Sequence, residues 1–195
     1  MSLTKDSGNS EITRRELLGR MGNGLLVLTV STPWGELTPA EARAKAASFK
    51  NLTAAEGAAL EALGDVLLPG AREAGIAHYV DDQLSRADSL LFLKYMEYPT
   101  SQLEFYRQGL ASLDRLCQAR HASPFANALE EQKTAIVREI SQKNPEGWNG
   151  PPAALFYFVV RNDAVDVYYG SEEGFRRLQV PYQLHLPPPA KWNCR

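Results

Sequence analysis

From Thr53 to Lys143 the apolar residues recur at helical spacing, cut repeatedly by proline, glycine or asparagine. Only one stretch, Leu155-Phe156-Tyr157-Phe158-Val159-Val160, has the density of bulky residues that a buried strand wants. It could equally be a buried helix. A lone strand leaves its backbone donors and acceptors unmatched, and no second run of similar strength exists to pair with it. We therefore read Pro152 to Tyr168 as a helix buried on all sides, and the chain as all-α: a small irregular helical bundle.

The first helical segment opens on a capping box, Thr53-Ala54-Ala55-Glu56, in which the Thr53 hydroxyl and the Glu56 carboxylate each satisfy an orphan N–H. Leu60, Leu63, Val66 and Leu67 follow on one face, and Pro69-Gly70 ends the run. Asn51-Leu52-Thr53 is formally a glycosylation sequon, although the cap explains Thr53 without sugar. Ile76, Val80 and Leu84 mark a second helix from Ala74 to about Arg86, with Asp81 and Asp82 expected to face water. A short buried helix is expected over Leu90 to Tyr98. A longer one, Gln102 to about Ala119, shows Leu103, Tyr106, Leu110, Leu113 and Cys117 on one face. Ser123-Pro124 reads as a helix start, and Leu129 to Lys143 carries the period on through Ile136, Val137 and Ile140 until Asn144-Pro145-Glu146-Gly147. From about residue 170 an extended tail rich in proline and aromatic residues is expected. Nine of the eighteen aromatic residues stand at or after Trp148, and Tyr182, Pro187, Pro188 and Trp192 are its candidate partner contacts. The tail could also fold back over its own core.

At the other end, Arg14-Arg15 precede an uncharged run from Met21 to Gly35, the layout of a twin-arginine export signal. At fifteen residues the run is shorter than the ~20 that a helix needs to span a bilayer. The triplets Ala42-Arg43-Ala44 and Ala44-Lys45-Ala46 place cleavage after Ala44 or Ala46, giving a leader over 1–46 and a helical domain over 47–195. The alternative is an N-terminal stretch in which two arginines adjoin by chance. From Ala47 onward fifteen Lys/Arg stand against eighteen Asp/Glu with neither sign in a block, so no face is built to neutralise nucleic-acid phosphates. Cys117 and Cys194 are the only cysteines. In an oxidising compartment they could pair; otherwise Cys117 is a small buried helix residue.

The residues offer little chemistry. His78, His121 and His185 lie far apart without metal-ligand spacing, and no Cys-x-x-Cys-His, GxGxxG or phosphate loop occurs. Gly170-Ser171-Glu172-Glu173-Gly174 reads as a turn at a helix end, since its acids would repel a phosphate. Asp81 and Asp82 are adjacent and diverge by ~100° on a helix, and Asp163 and Asp166 have the spacing of solvated acids on one face. No residue is assigned a catalytic, cofactor-binding or metal-binding role.

Several segments nevertheless carry a resemblance. Arg14-Arg15 with the leader, Leu67-Leu68-Pro69-Gly70-Ala71-Arg72-Glu73-Ala74-Gly75-Ile76 followed by Tyr79-Val80-Asp81, and the ending Tyr169-Gly170, Gly174-Phe175, Leu178-Gln179-Val180-Pro181-Tyr182, Pro188 and Trp192 together resemble the gluconate 2-dehydrogenase subunit 3 family. The resemblance implies the small, or gamma, subunit of a bacterial sugar or polyol dehydrogenase. Its partner would be an FAD-containing catalytic subunit of the glucose–methanol–choline (GMC) type, with a cytochrome c subunit carrying haem, or an iron–sulfur cluster, for onward electron transfer. This chain would bind no cofactor. It would support assembly, stability and export of the flavoprotein through the twin-arginine translocase, placing the complex in the periplasm or against the inner membrane through its partners. The ending departs toward a sub-branch, so the partner's substrate is a sugar, glycoside or alcohol not fixed by the resemblance. On the residues alone, a stand-alone exported helical protein with a ligand-binding or structural role stays open.

Overall fold

A computed structural model describes residues 28–179. Arg14, Arg15, Tyr182, Pro187, Pro188, Trp192, His185 and Cys194 lie outside them, as do the first half of the apolar leader and the proline-rich tail. The described residues form a short β-hairpin and seven α-helices, so the all-α bundle is what the chain adopts, with one small exception at its start.

That exception is β1 (Val30–Thr32) paired antiparallel with β2 (Gly35–Leu37), in the register Val30 to Leu37, Ser31 to Glu36 and Thr32 to Gly35. Thr38 then caps α1 (Pro39–Ala44), its hydroxyl accepting from Glu41 N–H while the Glu41 carboxylate accepts from Thr38 N–H. Val30, Leu37, Ala42 and Ala47 close a small apolar core of their own. The hairpin and α1, which lie inside the stretch read from sequence as leader (1–46), together with Ala47 form a folded strap.

The main bundle follows. In α2 (Ala54–Leu67) the expected capping box is present, with Glu56 N–H donating to the Thr53 hydroxyl at 3.2 Å and Thr53 N–H to the Glu56 carboxylate at 2.7 Å. After the Pro69-Gly70 turn comes α3 (Ile76–Gln83), shorter than expected because Gly75 at φ +85° caps it in the left-handed region. The Leu90–Tyr98 stretch forms only a 3-10 turn, Phe92–Tyr95. The longest helix, α4 (Gln102–His121), starts at the Ser101 cap and ends at Ala122, φ +52°. Ser123-Pro124 does not open a helix. Its hydroxyl lies 3.2 Å from the Pro124 carbonyl, Phe125 N–H is taken by Asp114, and a second 3-10 turn (Phe125–Asn127) intervenes before α5 (Glu130–Ile140).

The ambiguous run is a helix, α6 (Ala153–Tyr169). It is not buried on all sides: Phe156, Val159 and Val160 face the core, while Phe158 is 41% exposed. Gly109 on α4 lacks a side chain where the Phe156 ring presses in, so the two helices approach closely. Finally, residues expected to begin the extended tail form α7 (Glu172–Arg177), capped by the Ser171 hydroxyl, which accepts from Gly174 N–H. The core joins α2, α3, α4, α5 and α6 around Leu60, Leu63, Tyr79, Phe105, Tyr106 and Phe156. No helix among the described residues is long and apolar enough to cross a membrane.

Candidate functional site

Helix α3 is where the polar residues gather, and all eight of its residues are buried. Asp81 and Asp82 do not face water. The strap and the loop after it lie over the side of α3 that the helical period had left outside. Asp81 accepts three backbone N–H groups in a row, Lys50 at 2.7 Å and Asn51 and Leu52 at 2.8 Å, and so fixes the loop that leads into α2. The sequon residue Asn51 donates from its own side chain to the Asp81 carbonyl and the Ser85 hydroxyl. Asp82 accepts from Ser31 N–H at 3.1 Å, Lys50 Nζ at 3.0 Å and Arg86 Nε at 2.6 Å. Arg86 also donates to the Thr29 carbonyl, at 3.2 Å. Burial alone would raise the Asp82 pKa, but the bonds from Arg86, Lys50 and Ser31 outweigh it and hold the pKa below the ordinary carboxylate value. These two acids are clasps, each accepting three hydrogen bonds.

A second polar cluster sits inside the bundle. Asp163 on α6 is fully buried and accepts from the Tyr106 hydroxyl of α4 and from Phe92 N–H, the latter at 3.0 Å. Burial pushes its pKa up to about 7 against the lowering effect of those two bonds. Burial and the nearby Asp163 in turn push the Tyr79 and Tyr106 phenols well above their usual value. Asp163 is therefore not a solvated acid, while Asp166 stays exposed one turn further on. The acid–phenol pair ties α4, α6 and the Phe92 turn together, and both of its members are sealed from solvent.

The histidines do not converge. His78 is buried on α3, its Nε2 3.0 Å from the Ala47 carbonyl and its ring 4.7 Å from that of Phe49, while His121 ends α4. An open crease of about 610 Å³ runs between the strap and α2, bordered by Arg43, Phe49, Leu52, Glu61 and His78. Arg43 and Glu61 pair with each other across it at 3.1 Å. His78 Nδ1 has no hydrogen-bond partner among the described residues. No group of three or more His, Cys, Asp or Glu that could hold a metal occurs among them. Cys117 is fully buried on α4, and burial, with Asp114 nearby, raises its thiol pKa.

What the arrangement offers is a set of polar groups spent on holding helices in place, with a long turn leading from α2 into α3. That turn covers residues 68–75, with Gly70 and Gly75 both at positive φ. Residues 54–187 match the family described as gluconate 2-dehydrogenase subunit 3. The chain belongs to this family. It is accordingly related to an accessory subunit of a dehydrogenase complex, and a partner dehydrogenase is implied. No curated protein and no solved structure matches it. The family match opens at Ala54, just after the strap, so the hairpin and α1 lie upstream of the matched region yet pack against it.

Sequence reasoning missed the clasp residues because each is defined by a partner thirty or more positions away. The one signal available was the pair of adjacent acids on an otherwise apolar helix, where local periodicity sends them to water.

Proposed function

We propose that this chain is the non-catalytic small subunit of a periplasmic, FAD-dependent dehydrogenase of the GMC type acting on a CH–OH group of a sugar, gluconate or glycoside. Its work is the assembly, stability and twin-arginine export of the catalytic flavoprotein. Membership of the subunit 3 family over residues 54–187 is the observation that carries this reading. FAD belongs to the partner, and haem c or an iron–sulfur cluster to a further electron-transfer centre in the partner subunits.

Arg14-Arg15 and the apolar run after them support export of a folded protein together with its companion. The sequence places the end of the leader at Ala44 or Ala46. Cleavage after Ala44 or Ala46 would cut away the hairpin and α1, leaving Asp82, Gly75 and the inner face of Ala47 without the residues packed on them. The engaged state of Asp81, Asp82 and Asp163 supports a supporting role over a chemical one. The test is expression of the FAD-dependent dehydrogenase subunit of the same genome with and without this chain, reading flavoprotein activity in the periplasmic fraction. Export and activity should depend on the chain; equal values in both strains overturn the proposal.

A further inference from the structure

Eight large apolar side chains are exposed among the described residues, and five of them stand on two elements: Leu90, Tyr95 and Met96 on the connection between α3 and α4, and Phe158 and Val165, about two turns apart, on α6. Phe92 links them, its ring edge-on to Phe158 at 5.2 Å and to Tyr95 at 6.4 Å. Tyr95 is 68% exposed. A single apolar residue at a surface is ordinary, whereas a contiguous aromatic patch marks a binding face.

The patch stands on a fixed frame. Leu91 and Leu93 are buried between the outward residues. Leu90 N–H donates to the Gln83 side chain at 2.7 Å, and Phe92 N–H to the buried Asp163. A surface held this way loses little entropy when covered, which favours association. Around it Asp88, Lys94, Glu97 and Arg161 are exposed with both signs present. An apolar centre rich in aromatic residues and methionine, inside a rim of mixed charge, has the make-up of a protein–protein interface. A nucleic acid or an anionic membrane would want a rim of one sign.

We propose that the Tyr95–Phe92–Phe158 face is the surface by which this chain docks onto the catalytic subunit of its dehydrogenase. The inference rests on the accessory-subunit reading and adds the location of the contact. Every member of the patch lies within residues 54–187, the part shared with a family defined as a subunit of a larger assembly, whereas the exposed Trp34 lies outside it. A stable interface buries roughly 800 Å² per partner, so the patch would be its apolar centre, with the charged rim completing it.

The full-length chain is co-expressed with the FAD-dependent dehydrogenase subunit of the same genome and captured through a tag on this chain. The yield of FAD-containing subunit is read for wild type, for the Tyr95→Asp/Phe158→Asp pair, for the milder Tyr95→Ser, and for the off-patch controls Trp34→Asp and Leu129→Asp. Thermal melting by circular dichroism checks that each variant folds. The pair should weaken capture by about 100-fold and Tyr95→Ser by about 10-fold, while the controls stay within about twofold. Retention of the flavoprotein by both patch variants overturns the proposal while leaving the accessory-subunit reading intact. Failure of the wild type to capture the flavoprotein removes that reading and this one together. Loss of self-association with flavoprotein capture unchanged assigns the face to a second copy. Hydrogen exchange that rises at residues 90–96 on deleting 180–195, again with capture unchanged, assigns it to the chain's own tail. Either result overturns the proposal.

Discussion

The carbonyl oxygen of Pro39 lies 2.1 Å from where a Cβ on Gly75 would stand. Gly75 therefore serves two needs at once: it takes φ +85° to start α3, and it clears the room into which the first turn of α1 packs. The strap and the family's α2–α3 turn are fitted to each other at this point. Gly147 supplies the control, since it holds nearly the same angle, φ +81°, with nothing within 4 Å. Gly147→Ala should cost only the left-handed backbone penalty, about 1–2 kcal/mol. Gly75→Ala should cost that and the displacement of the strap, about 3 kcal/mol or more in all. Urea denaturation of the two variants measures the difference, and equal losses would mean that the strap does not pack here.

Asp82 holds the same strap by charge. Its partners Lys50 and Arg86 are 41% and 34% exposed, so each can be hydrated if the acid is removed. Asp82→Asn is expected to cost about 1–3 kcal/mol, below the range for a fully buried pair. Because the Asp82 pKa is lowered by folding, its contribution is present above the ordinary carboxylate pKa and fades as pH falls through the folded value. Hydrogen exchange should show the loosening first at residues 29–32, held by Asp82 and Arg86, and at 50–52, held by the adjacent Asp81. Loosening confined to α5 or α7 would contradict the assignment.

Deletion separates leader from strap. A chain beginning near Leu28 should melt close to the full-length protein. One beginning at Ala47 loses the hairpin and α1, uncovers Gly75, takes the Ser31 N–H from Asp82, and should melt lower by about 10 °C or more, or fail to fold. Differential scanning calorimetry of the two truncations decides it.

Much of this fold is legible from local chemistry, and the failures share a cause. Thr53 and Glu56 announce α2 because both halves of a capping box lie within four residues, and the Pro69-Gly70 break is equally local. The helix over 153–169 is inferred by elimination, since no partner strand exists. Asp81 and Asp82 are misread because the groups that bury them come from residues 31 and 50–52. The hairpin is missed because each strand has three residues, set inside a run whose composition also suits a leader. Phe158 defeats the opposite way: six bulky residues in a row conceal which of them faces out. Its exposure emerges only when α4 and the Phe92 turn are in place on either side.

Asp163 gives the pH behaviour its sign. Burial raises its pKa from 3.8 in the unfolded chain to about 7 in the folded one. Between those values the native state holds a proton that the unfolded state has released, so stability falls as pH rises from about 4 to about 7 and then levels off. Asp114, also raised by burial, adds a slope of the same sign, whereas Asp82 acts in the opposite sense and only toward acid pH. Asp163→Asn keeps an acceptor for Phe92 N–H and leaves the amide facing the Tyr106 hydroxyl, but it does not titrate. Its urea midpoint should vary less between pH 4.5 and 8 than that of the wild type, with the variant relatively weaker at pH 5 and relatively stronger at pH 8. Tyr106→Phe should move the same profile the other way, because removing the donor lifts the acid's pKa further and lengthens the window over which stability is lost. Profiles that superimpose for wild type and both variants would show that Asp163 carries no such proton.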